Sequence, residues 1–155
     1  MGKNPHNQER SCGGSTGGDA GLSAARCALF GIGTDVGGSV RIPCHFNGVR
    51  GIKLTSERVS RKLTKFATER SFNPYPIMNF AISPLAPSME DLKVVTKTLL
   101  TGNVSELDTL VVPGYFNEEM YLNVGIKKMR VGFYDSLEVV PSTRAMKRAM
   151  ALAKQ

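Results

Sequence analysis

The chain has 155 residues, 41% hydrophobic and 21% charged, the balance of a globular chain rather than a disordered one. Its formal charge of +7 comes from 20 basic and 13 acidic residues, but aromatics are only 7% and Trp is absent, so no stacking surface for nucleic acid is expected. Cys12, Cys27 and Cys44 are odd in number and show no CxxC spacing, which excludes a disulfide framework and a zinc site and points to a reducing, intracellular compartment.

Residues 1–12 are polar and contain the turn signal Asn4-Pro5, so they read as a loop with no strand or helix opening the domain. They lack the apolar core of a signal peptide. Met1-Gly2 is followed by His6 where an N-myristoylation site needs Ser or Thr. No apolar run is long enough to span a bilayer.

Gly13 to Pro43 is the most distinctive stretch of the chain. Nine of the chain's 16 glycines fall in it, and Ser15 and Ser39, 24 positions apart, each follow a Gly-Gly pair. Such clusters mark backbone that turns sharply or approaches something closely. Asp19 to Phe30 is rich in Ala and Leu and free of Pro, which predicts a helix with Asp19 at its positive end and Leu22 and Leu29 anchoring it in the core. Leu29 to Ile32 reads as a short buried strand, Gly33 to Asp35 as its end, and Val36 to Ser39 as a second tight loop. Gly48 to Leu54 is a further strand candidate.

Residues 55–87 read as irregular. They hold the basic cluster Arg58, Arg61, Lys62, Lys65 and Arg70 and four prolines, Pro74, Pro76, Pro84 and Pro87. Ser88 with Asp91 three residues later predicts a capped helix start, with Met89, Leu92, Val95, Leu99 and Leu100 at helical spacing and Gly102 as the stop. Residues 103–128 read as loop, Met129 to Tyr134 as a strand, and Pro141 to Gln155 as a helix.

Two familiar glycine-loop chemistries do not fit. Gly31-x-Gly33 lacks the third glycine of a dinucleotide fingerprint, and no GxxxxGK[ST] string occurs. The only histidines are His6 and His45. His45 lies six residues after Ser39, and the G-x-S-x-G elbow is absent, so His45 reads as a packed or surface residue. What remains is serine chemistry without histidine, in which a neutral Lys takes the proton, a second serine relays it, and the amides of the Asp35–Ser39 turn cradle an oxyanion.

Gly13 to Cys44, with Ser39-Val40-Arg41-Ile42-Pro43, resembles the signature region of the amidase signature family. Gly48 to Thr55 is similar to its GxxGLKPT segment, and Ser83 to Leu92 to its GPMARSVEDL segment. Arg130 to Tyr134 and Pro141 to Ala149 resemble the RVGYY…PSPAMRRA stretch of the fatty-acid amide hydrolase branch. The resemblance implies an α/β chain, a mixed sheet surrounded by helices, present as an incomplete fragment. Its partial domain would span 1–155, with the catalytic-serine core at 13–55 and a loop, helix, strand and helix over 56–155.

It implies hydrolysis of fatty-acyl or other carboxylic amides by a Ser–Ser–Lys mechanism with neither metal nor organic cofactor. Ser39 would be the nucleophile and Ser15 the relay. Val36, Gly37 and Gly38, with Ser39's own amide, would offer oxyanion N–H groups, Thr16 and Thr34 would flank the serines, and Asp35 and Arg41 would brace the loops. The partner would be a small acyl amide and not nucleic acid; peripheral membrane contact and a homodimer are left open, as is cytoplasmic against peripheral-membrane location. The family's Lys lies well upstream of the first serine, where this chain offers only Lys3. Thr16, Ser23, Arg50 and Leu54 depart from the family's usual residues. Two other readings stand beside this one: a truncated, non-catalytic amidase-like protein, and an amidotransferase-type subunit.

Overall fold

A computed structural model of the chain describes residues 2–62, 64, 79–101, 104–125, 129–134, 136 and 139–154. The backbone falls into two compact units, Met1–Phe116 and Asn117–Gln155.

The first unit opens on a hairpin, not on a loop. Strands β1 (Lys3–Asn4) and β2 (Asn7–Ser11) pair antiparallel across the two-residue turn Pro5-His6. Asn4 Oδ1 accepts from the His6 amide at 2.9 Å and closes that turn. These strands are polar on both faces, so no hydrophobic alternation announces them.

Helix α1 runs from Gly17 to Ala24, shorter than the Asp19–Phe30 expected. It stops because Arg26 takes a left-handed φ of 60°, with Cys27 N bonded back to Leu22 O at 2.9 Å and Arg26 N to Ser23 O at 3.1 Å. That is a Schellman ending, usually built on glycine. The buried face of α1 is small: Gly17, Ala20 and Ser23. Leu22 and Leu29 do not anchor the core; they are 53% and 84% exposed. Ala20 instead joins Val40, Cys44 and Leu85 in the core cluster, with Val49 packed against it.

Strand β3 spans Gly31–Asp35 and so includes the Gly33-Thr34-Asp35 segment expected to end it. It pairs antiparallel with β5 (Ala81–Ala86), which pairs on its other side with the short β4 (Arg50–Gly51). Both described pairings are antiparallel, so the mixed character expected of the sheet is not carried by these strands. Strand β5 lies inside the segment read as irregular. Its Pro84 disguises it, yet every residue is buried and the Pro84 carbonyl accepts from Ile52 N at 3.2 Å.

Helix α2 (Arg41–Asn47) is a further element the residues did not announce. Pro43 sits in its first turn, where a missing N–H breaks no helical bond. Helix α3 (Met89–Leu99) is as expected. Ser88 caps it by accepting from Asp91 N at 3.0 Å, although the helix stops at Leu99; the proposed stop, Gly102, lies outside the described residues.

Of the basic cluster, Arg58, Arg61 and Lys62 bond to groups of their own unit, Lys62 from an exposed position. Arg58 donates to Pro113 O at 2.9 Å and Lys62 to Leu107 O at 3.0 Å. Arg61 donates to Asn79 Oδ1 at 3.0 Å and lies over the Phe80 ring. Ser60 donates to Asp108, which together with Leu110 N holds that carboxylate below its ordinary pKa. Lys65, Arg70, Pro74 and Pro76 lie outside the described residues.

Residues 103–128, read as loop, contain α4 (Val104–Leu107) and α5 (Glu118–Asn123). In the second unit, Met129–Tyr134 forms no strand, having no partner strand among the described residues, and α6 (Arg144–Ala153) is capped by Thr143.

Candidate active site

The two serine loops meet through the backbone. Thr16 N donates to Ser39 O at 3.0 Å, so the peptide joining Ser15 to Thr16 lies directly against residue 39. The Gly14–Ser15 peptide is cis. Ser15 is exposed and Ser39 half-buried at the turn that leads into α2.

Thr16, buried at the start of α1, packs on β3 at Gly33. A Cβ added to Gly33 would stand 2.3 Å from Thr16 Oγ1 and 2.5 Å from its methyl carbon. Only glycine permits so close an approach. The extra methyl of Thr16 is therefore seated against bare backbone rather than crowding the loop. Thr34, the other flanking hydroxyl, is half-buried one residue on, opposite Ile82, with no hydrogen bond to either serine among the described residues.

Asp35 organises the second loop. Its fully buried carboxylate accepts from the amides of Gly38 at 2.8 Å, Val40 at 3.1 Å and Arg41 at 3.2 Å. The Arg41 guanidinium adds two bonds, from Nε at 3.1 Å and Nη2 at 3.0 Å. Burial works against ionisation, but Arg41 and the three amides outweigh it and hold Asp35 far below the usual carboxylate range. The pairing in turn raises the Arg41 pKa. Val40, the N-cap of α2, makes no side-chain cap bond, so the carboxylate of Asp35 caps that helix from outside it.

This arrangement corrects one detail of the oxyanion set. The Gly38 amide is committed to Asp35, whereas the Val36, Gly37 and Ser39 amides have no acceptor among the described residues. Val36 and Gly37 are exposed beside Ser39.

Two further departures from the family pattern, Leu54 and Arg50, find partners here. Leu54 is buried and its amide donates to Ser83 Oγ at 3.3 Å, a bond proline cannot make. Arg50 donates to Pro87 O at 2.9 Å. Ser23 is fully buried and its hydroxyl has no partner among the described residues. Burial pushes the Cys44 thiol up to about 11, with Asp35 adding to it, so Cys44 is a neutral thiol and not a nucleophile. His45 is on the surface, edge-on to Phe46. It helps line a polar pocket of about 460 Å³ with Asn4, Arg10, Ser11 and Phe46, and neither serine borders it.

One residue of this neighbourhood carried no signal of a site. Asn47, at the end of α2, is buried, and its Nδ2 donates to both Cys12 O and Pro43 O at 2.8 Å. In the sequence, Asn47-Gly48 looks like an ordinary turn.

Among the described residues no group of three or more His, Cys, Asp or Glu could hold a metal ion. No described helix is long and apolar enough to cross a membrane.

Residues 2–155 match the family model for Amidase. The chain is 36% identical over 152 residues to fatty-acid amide hydrolase 1 of Sus scrofa, covering 98% of this chain and 25% of that protein. It is 37% identical over 157 residues to fatty acid amide hydrolase 1 of Caenorhabditis elegans, covering 98% and 26%. A solved fatty acid amide hydrolase superposes with a TM-score of 0.67 at 28% identity, covering 76% of this chain and 20% of that one. The chain thus spans about a quarter of the length of the curated relatives it matches. With the glycine-borne serine loops, the Asp35–Arg41 brace and a family match along nearly its whole length, the chain belongs to the amidase family, as an incomplete fragment of the amidase signature fold.

Proposed function

We propose that this chain supplies the serine-bearing part of an amide hydrolase, with Ser39 as nucleophile and Ser15 as proton relay. The observation that carries the reading is the Thr16 N to Ser39 O bond, which sets the Ser15 peptide against residue 39. Ser39 Oγ adds to the amide carbonyl, and its proton passes to Ser15 and on to a base. The oxyanion faces the Gly37 and Ser39 amides, with Val36 beside them. Collapse expels the amine, which takes up the relayed proton, and water then cleaves the acyl ester at Ser39 to release the acid.

The family likeness assigns the base to a lysine well upstream of the first serine. Lys3 is exposed on β1, opposite Ser11 in the hairpin, and does not fill that role. Residues 1–155 by themselves are therefore expected to lack turnover. We take a long-chain acyl amide as the substrate class, since the two relatives are named fatty-acid amide hydrolases.

The test is a chimaera in which residues 2–155 replace the matching segment of one of those hydrolases. Hydrolysis of an oleoyl anilide in preference to an acetyl anilide, abolished by Ser39→Ala, is the expected result. A folded chimaera whose turnover survives Ser39→Ala overturns the assignment, and one that prefers the acetyl anilide overturns the long-chain part.

A further inference from the structure

We infer that Asn47 is a positioning residue that registers Ser15 against Ser39; the inference rests on the serine reading above. Cys12 O lies three residues before Ser15, and Pro43 O lies four residues after Ser39. One side-chain nitrogen, Asn47 Nδ2, donates to both carbonyls at 2.8 Å. The contact is buried, with Asn47 1% exposed.

The loop between these points is pinned at two further places. Gly13, at a left-handed φ of 77°, lies on α2 so closely that an added Cβ would stand 3.2 Å from Pro43 Cα. Beyond Ser15, Thr16 N is bonded to Ser39 O. Ser15 is thus held between a side-chain clamp on one side and a backbone bond on the other, and both holds reach the segment that carries Ser39.

The chemistry of the clamp demands an amide. Two carbonyl oxygens converge on one group, which must offer two N–H bonds and no lone pair toward them. The orientation of Asn47 is fixed for the same reason: flipped, its oxygen would face both carbonyls. Its Oδ1 is buried with no donor among the described residues, and the group still keeps this orientation. The hairpin secures α2 from outside, with Asn4 Nδ2 donating to Phe46 O at 2.7 Å and His6 Nε2 at 3.2 Å from Asn47 O. Asn47 itself stands apart from the reacting atoms and acts only through the two loops.

Amide hydrogen exchange on the whole chain tests this. Asn47→Asp keeps the shape but turns acceptors toward two carbonyls; Asn47→Ser retains one donor and serves if the first variant does not fold. Exchange at Thr16 N–H is expected to quicken about tenfold in Asn47→Asp and less in Asn47→Ser, the scale of one lost hydrogen bond. The amides of α3 should be unmoved. In the chimaera described above, which supplies the base, labelling of Ser39 by a fluorophosphonate should slow in the same order, with partial rescue in Asn47→Ser. Unchanged exchange at Thr16, or equal quickening in Thr16 and α3, overturns the inference, the second by showing that Asn47 only holds the fold. Failure of the chimaera with unsubstituted residues 2–155 to label sinks the hydrolase reading instead, while a local Thr16 response in the chain still upholds the clamp between the loops.

Discussion

Residues 12–47 and residues 117–154 show two ways of making secondary structure. In the first stretch the serine loops are held by buried side-chain bonds, some of them to residues far along the chain, or by a backbone contact that only glycine allows. Asp35 collects five donors, Asn47 ties Cys12 to Pro43, and Thr16 rests on Gly33. In the second, α5 and α6 are closed by local caps at Asn117 and Thr143 and bury no residue. Met146 and Leu152 of α6 are 49% and 63% exposed. Polar over-determination suits a site whose hydroxyls need fixed positions; capping alone makes a helix without fixing its place.

The sharpest break in that contrast is Asp35→Ala. It removes the acceptor of three amides and a guanidinium at once, and should cost about 3 kcal/mol of stability by urea unfolding. The same group gives a pH signature. Asp35 titrates in the folded chain well below the value near 4 of an unfolded aspartate. Its contribution is complete at neutral pH, begins to fall as acid protonates the unfolded chain near pH 4, and goes on falling toward the folded value. The urea midpoint should therefore drop more steeply from pH 6 to pH 3 in the natural chain than in Asp35→Asn.

Gly33→Ala comes next. Its new methyl would overlap Thr16, so a loss of about 2 kcal/mol is expected, with most of it recovered in the double variant Gly33→Ala, Thr16→Gly. A double variant no better than Gly33→Ala alone would show that the contact is not what makes the site intolerant.

In the other region, Thr143→Ala should weaken α6 by about 1 kcal/mol, seen as faster amide exchange in that helix, with Met1–Phe116 unmoved. The smallest effect has the opposite sign. Ser23→Ala removes a buried hydroxyl that has no partner among the described residues and should raise stability by up to about 1 kcal/mol.

What the residues disclosed beforehand divides along the same line. The Ser88 cap and the helix it opens were legible because both partners lie within one turn. The glycine pattern and paired serines gave the family and the two loops. Helix α2 was not legible, because its cap is the side chain of Asp35, six residues before the helix begins. Strand β5 was hidden by Pro84 and is defined by pairing to β3 and β4, distant in sequence. Leu22 and Leu29 were placed inside on hydrophobicity alone, whereas the core takes Ala20 and α1 approaches β3 closely where Asp19 meets Gly31. Asn47 gave no warning, since its role lies in two carbonyls 35 and 4 residues away.

The central claim is that Ser39 is the nucleophile and Ser15 its relay, and the direct measurement is peptide mass spectrometry after fluorophosphonate treatment of the chimaera in which residues 2–155 replace the matching segment of a fatty-acid amide hydrolase, which supplies the base. One adduct on the Ser39 peptide, absent in Ser39→Ala and formed about a hundredfold more slowly in Ser15→Ala, is the result this account requires. An adduct on another residue, or undiminished labelling in Ser39→Ala, would contradict it.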